Sequence, residues 1–270
     1  MKGLKILFMS LAMCFGFALV VHAAEKEQEG LTKKEYDYLL NVVGHTEEEI
    51  KELPVEVAKE LVSNKAELKS TKTVYENIEQ ENDESNGEQV SILGTIPSAD
   101  IQLGGTVYKV TSDRSGYNKY YMYGNYRWLK SPFYTLVDKM TIGFPSSSGF
   151  ILPTSNGSIT QHQHRYSYDF YGNGKWVDTA IKYSPSDWSA NAGVAGSYDL
   201  RKFSDFTLHK GYVGQYVYVR NTTHGDMNIK LEYGHKRISG AITVSVYPAG
   251  LGITPTTTTD TKSYALTLTY

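Results

Sequence analysis

The chain has 270 residues, with 27 lysines and arginines, 29 aspartates and glutamates, and one cysteine. A single cysteine excludes a disulfide framework and a thiolate cage for a metal. The near balance of charge, −2 overall, argues against the basic stripe a nucleic-acid binder needs, so no nucleic-acid partner is expected.

In chain order, residues 1–23 have the form of an export signal. Lys2 and Lys5 give a positive start, residues 4–21 are apolar almost throughout, and Val21-His22-Ala23 presents small residues to a signal peptidase. Cleavage is expected after Ala23, which predicts a secreted, extracellular protein. Cys14 lies inside this run behind Met13, a residue unsuited to lipid attachment. The mature chain is therefore expected to be cysteine-free and to rely on the size of its core.

Charge then divides the chain. Residues 25–104 hold 19 acids against 8 bases, whereas residues 105–270 hold 10 against 17 and carry 19 of the 22 tyrosines. Two segments of different physics are joined. Residues 24–73 read as an acidic leader of short helices, a candidate pro-segment. Thr32 with Glu35, and Thr46 with Glu49, have the spacing of capping boxes. Tyr36, Leu39, Leu40 and Val43 follow at helical spacing and Gly44 closes the run. Pro54 suits a first helical turn, and Val57, Ala58, Leu61 and Val62 form the next apolar stripe. Helices this short need a surface to pack on. Residues 74–104 read as an acidic linker, with residues 76–89 having the composition of a disordered, protease-sensitive stretch.

Residues 105–270 alternate with a period of two. Strands are expected over 106–111, 119–129, 136–142, 159–171, 176–183, 215–220, 228–233, 241–247 and 264–270, separated by turns rich in Gly, Asn and Ser. This predicts a mainly β protein, an antiparallel β-sandwich or jelly-roll-like domain behind the helical leader. Ile229, Leu231 and Tyr233 are expected to face inward, with Lys230 and Glu232 on a wet face.

The run Asn125-Tyr126-Arg127-Trp128-Leu129-Lys130-Ser131-Pro132-Phe133-Tyr134-Thr135-Leu136-Val137-Asp138, continuing to Ile142, resembles a segment of uncharacterised secreted proteins of Gram-positive bacilli. The tail Gly240-Ala241-Ile242-Thr243-Val244-Ser245-Val246 is similar to their final strands, and residues 44–54 are similar to their leaders. The resemblance implies an origin and a location outside the membrane. It implies no activity.

His162 and His164 flank Gln163, so on a strand both imidazoles share a face and can reach one divalent metal, the candidate cofactor. With Gly157 before them and Asp169 after, they resemble the first half of a cupin motif. The match departs in using Asp for Glu, in placing Asp169 on the other strand face, and in lacking a second half. Two hydrogen-bonded histidines on a half-buried face would read the same way. His209, His224, His235 and Asp226 are scattered over turn-rich segments. No Gly-x-Ser-x-Gly elbow is present, Gly172–Gly174 opens no helix, and no carboxylate pair is evident for glycosidic cleavage, so no catalytic residue is assigned.

The collective feature is a ring cluster: Tyr117, Tyr120, Tyr121, Tyr123, Tyr126 and Trp128, with Lys119, Arg127 and Lys130 interleaved. Exposed, these would be a ligand-binding face, with rings to stack on sugars and cations to attract an anionic polymer. Buried, they would simply fill β faces. The reading taken is a non-enzymatic binding module for an anionic cell-wall polymer, glycan or lipid surface, its acidic leader shielding a basic domain. A membrane-active, toxin-like β protein and a metal-dependent cupin-like enzyme stay open as alternatives. Oligomeric state is not specified by the sequence.

Overall fold

The computed structural model describes residues 30–74 and 94–270. The export signal, and the part of the acidic linker over residues 75–93, lie outside the described residues.

The front end forms three short α-helices, α1 (Lys33–Tyr38), α2 (Glu47–Glu52) and α3 (Val55–Ser63), with a π-helical turn over Leu39–Val43 after α1. Both predicted capping boxes are made: Thr32 and Thr46 each accept from, and are answered by, the glutamate three residues on. Gly44 ends the π turn at φ 91°, a left-handed conformation that glycine adopts without Cβ strain.

The rest is an antiparallel β-sandwich, as expected. One sheet has six strands in the order β1 (Glu67–Val74), β2 (Ile101–Val110), β3 (Tyr117–Trp128), β11 (Leu208–Arg220), β7 (His162–Asp169) and β8 (Trp176–Asp178). The other has five: β15 (Thr259–Thr269), β12 (Asp226–Lys236), β4 (Val137–Gly143), β10 (Gly193–Asp199) and β9 (Asp187–Ser189). Two hairpins, β5 (Thr154–Ser155) with β6 (Ser158–Ile159) and β13 (Val244–Tyr247) with β14 (Gly250–Ile253), complete it.

Period two explains both layers of the core. On β3, Tyr120, Met122, Tyr126 and Trp128 point between the sheets and meet Met140, Val194, Leu231 and Tyr233. The alternate residues Tyr121 and Tyr123 point outward. With Tyr108, Tyr212 and Tyr216 they form a second cluster that buries Val57, Ala58 and Leu61 of α3. The helices are therefore the cover of the six-stranded sheet.

Two sequence boundaries need correction. Glu67–Val74, which spans the end of the assigned leader and the first residue of the assigned linker, is a strand paired with β2, and β2 begins at Ile101 inside the assigned linker. The strand was missed because Glu-Leu-Lys-Ser-Thr-Lys-Thr-Val is mostly polar, as suits a sheet edge. Glu232 is also not on a wet face. It is 5% exposed, and its carboxylate accepts from Ile253 N at 2.8 Å and Lys230 Nζ at 2.9 Å.

Candidate functional site

The ring cluster predicted as a binding face is mostly interior. Tyr120, Tyr121, Tyr123, Tyr126, Trp128 and Lys119 are buried, Tyr117 and Arg127 half-buried, and only Lys130 is exposed. The correction has a simple cause: both faces of the central strand β3 are covered, one by the second sheet and one by the helices. Lys119 is held under this cover, with Nζ 3.1 Å from Asp113 and 4.4 Å from the centre of the Tyr216 ring.

His162 and His164 do share a face, but that face is the sandwich interior. His162 Nδ1 donates to Gln215 Oε1 at 3.1 Å, so its Nε2 is left to accept from His164 Nδ1 at 2.9 Å. Both nitrogens of His162 are thereby occupied. Asp169 instead caps a loop, accepting from Gly174 N at 2.6 Å and Tyr171 N at 3.2 Å. Among the described residues no group of three or more His, Cys, Asp or Glu side chains is placed to hold a metal. The geometry thus departs from the cupin reading.

The scattered set does not converge either. His209 and His235 are buried, while His224 and Asp226 are exposed around the turn after β11. His235 Nδ1 donates to Asp138 at 2.8 Å, and the Tyr233 hydroxyl donates to the same carboxylate at 2.6 Å. This network is closed to solvent.

A different group of residues is exposed together. The strand registers bring three loops to one end of the sandwich. Arg127 near the end of β3 is opposite Lys210 near the start of β11, Leu208 is opposite Asp169 at the end of β7, and Val137 at the start of β4 is opposite Asp199 at the end of β10. The loops over residues 129–136, 170–175 and 200–207 leave from these ends. Their exposed apolar side chains are Leu129, Phe133 (78%), Tyr134, Tyr171 (71%), Phe203 and Phe206 (70%).

These loops are tied to one another. Ser204 Oγ donates to Phe170 O at 2.6 Å, Leu200 N donates to Leu136 O at 3.1 Å, and the Phe170 and Phe203 rings lie 4.2 Å apart. Phe133 meets Tyr134 edge-on at 4.9 Å, with Lys202 Nζ 5.8 Å from the Phe133 ring. The Asp169 cap and the left-handed Gly172 and Gly174 fix the loop that carries Tyr171. The rings are thus displayed on hydrogen-bonded loops. Within the same segments stand Lys130, Lys175, Arg201 and Lys202; Lys130 pairs with Asp100 at 2.7 Å and Lys202 with Asp205 at 2.8 Å.

Sequence reading found Lys130 here and passed over the rest. The available signal was Phe133, Tyr134, Phe203 and Phe206 in segments with turn residues and no strand alternation, where no core is at hand to bury them.

No family model and no curated protein matches the chain. Among solved structures it is similar to Clostridium perfringens delta-toxin at 8% identity and a TM-score of 0.34, over 76% of this chain and 89% of that one. It is similar to the membrane-inserted form of the Clostridium perfringens NetB toxin at 6% and 0.32, over 76% and 97%. It is also similar to the KRT10-binding region domain of the pneumococcal serine-rich repeat protein PsrP at 7% and 0.26, over 62% and 87%. Its structural neighbours thus include two toxins and a binding-region domain.

Proposed function

We propose that this protein is a binding module that docks on an anionic lipid surface through the loop end of its sandwich, in the extracellular setting expected from residues 1–23. The observation that carries the reading is the convergence of Leu129, Phe133, Tyr134, Tyr171, Phe203 and Phe206, all exposed, on one end with four cations among them. A patch of this kind is rare on a surface that meets only water. Phenylalanine and leucine have no polar group to offer a sugar hydroxyl, and three of the six are phenylalanine. Aromatic rings at the level of lipid headgroups, with lysine and arginine beside them, are the pattern of an interfacial contact. Each cation near an anionic bilayer adds about 1 kcal/mol of attraction, screened by salt.

Co-sedimentation with vesicles tests this. Binding is expected to vesicles containing anionic phospholipid, to weaken with added salt, and to be lost in F133S/F206S while the thermal melting temperature stays as in the wild type. A wild-type protein that leaves vesicles in the supernatant but sediments with purified wall polymer would overturn the lipid assignment, as would unchanged binding by the double variant.

A further inference from the structure

The contact between helices and sheet has a charge pattern that packing alone does not require. Three carboxylates of the front end reach cationic or phenolic donors on the outer face of the six-stranded sheet. Glu52 accepts from Arg127 Nη1 at 3.0 Å and lies 3.6 Å from Lys210 Nζ. Glu56 is 3.1 Å from Arg165 Nη2 and accepts from the Tyr212 hydroxyl at 2.7 Å. Glu60 accepts from the Tyr216 hydroxyl at 2.7 Å. The donors come from β3, β7 and β11, and each is on the outward-facing parity of its strand.

Glu52, Glu56 and Glu60 recur every four residues, and on α3 that interval advances the carboxylate by about 6 Å. The helices thus lay a row of anions along a row of donors. Beside that row is the Trp176 ring, 4.7 Å from Lys210 Nζ and 5.6 Å from the Arg127 guanidinium carbon. A cavity of about 820 Å³ opens there between α2, the start of α3 and the sheet, and Trp176, Arg127, Lys210, Arg165, Asn125 and Ser167 are among its lining residues. Arg165 also meets Asp178 at 2.9 Å, yet its Nε is buried without a partner.

From this juxtaposition we infer that the outer face of the six-stranded sheet is a binding site for an acidic polysaccharide, and that Glu52, Glu56 and Glu60 occupy it as tethered stand-ins for the ligand's carboxylates. The cations and phenols would hold repeated carboxylates, and Trp176 would stack on a sugar face. None of these donors is among the exposed rings and cations of the loop end, so this site does not depend on the lipid reading. Ligand and helices compete for the same donors. Loosening the helices therefore raises the ligand's apparent affinity, because the closed population no longer discounts it.

The test uses the full chain with polygalacturonate, with neutral dextran and inorganic polyphosphate as comparison probes. E52Q/E56Q/E60Q is expected to bind polygalacturonate about tenfold more tightly than the wild type. E67Q/D199N/D226N removes the same charge from exposed positions outside the helices and outside the contact, and is expected to bind as the wild type does. Adding R127A/K210A to the triple glutamine variant is expected to abolish the gain. In the wild type, saturating polygalacturonate is expected to speed amide exchange across Val55–Ser63, a reading that needs no variant to fold. Equal gains in the two charge-matched variants, or unchanged exchange, would overturn the shielded site. Equal gains for polyphosphate would overturn the polysaccharide assignment, and dextran binding would overturn the role of charge.

Discussion

Leu231 on β12 seats in a dent left by Gly124 on β3: a Cβ at Gly124 would stand 2.6 Å from Leu231 Cδ2. Gly105, the cross-strand partner of Gly124, leaves the other half of the dent, with its own Cβ position 2.1 Å from Leu231 Cδ1. The two sheets interlock here because glycines admit one large side chain. Leu231→Ala should destabilise the fold by about 2–5 kcal/mol through lost burial and a residual cavity. Gly124→Ala should cost about 1–3 kcal/mol by overpacking. The double variant should lose less than the sum, since each change makes room for the other. Urea unfolding of the four proteins checks this, and strict additivity would contradict the interlock.

Asp138 is a buried carboxylate with three donors: the Tyr233 hydroxyl, His235 Nδ1 and Lys236 N at 2.9 Å. The Trp128 indole N–H donates in turn to the Tyr233 oxygen at 3.1 Å. Burial pushes the Asp138 carboxyl up, against the pull of its hydrogen bonds. Asp138→Leu leaves those donors unpaired and should destabilise by about 3–5 kcal/mol, measured as a fall in the urea midpoint at unchanged m-value.

Acid should weaken the sandwich through its interior histidines. Burial lowers His162 from 6.5 to about 4, His164 to about 3 and His209 to about 4. Below about pH 6.5 the unfolded chain takes up protons that the folded chain refuses, so the unfolded state is favoured as pH falls, and the loss continues down to about pH 4 for His162 and His209 and about pH 3 for His164. Above pH 6.5 these groups contribute no slope. At His209 both ring nitrogens are buried without a partner. His209→Phe should flatten the decline between pH 6.5 and 4.5, and an unchanged pH profile of the urea midpoint would refute its part in it.

The loop end should depend on Asp169, which ties down the loop carrying Tyr171 through Gly174 N and Tyr171 N. Asp169→Ala removes both acceptors. It should cost about 1–3 kcal/mol of stability and, by freeing the loop, reduce vesicle affinity by about fivefold, since ordering that was built in must then be supplied on binding. Vesicle titration of the variant reads the change, and wild-type affinity would show that the loop's order is irrelevant to docking.

Local signals were legible where local physics decides. The two capping boxes, the Gly44 stop and the centres of β2, β3, β4, β7, β12 and β15 follow from spacing alone. The first half of β11 was hidden by Gly211 and Gly214, which break the alternation. Those positions need glycine because Tyr126 and Tyr121 press on them, with Cβ sites 2.7 and 2.0 Å from their rings or hydroxyl. Strand β10 was hidden in the same way, since Gly193 and Gly196 crowd neighbouring strands and side chains. A glycine that serves close approach is indistinguishable in sequence from one that marks a turn.

The class of fold, the division of charge and the alternation of residues thus follow from the order of amino acids alone. Those depend on spacing within a few residues. Long-range packing fixes which parity of each strand meets the second sheet, lays the acidic helices over the other face, and gathers exposed rings of three distant loops at one end. These outcomes depend on contacts between segments as far apart as Glu56 and Tyr212, 156 residues along the chain, and no local period records them.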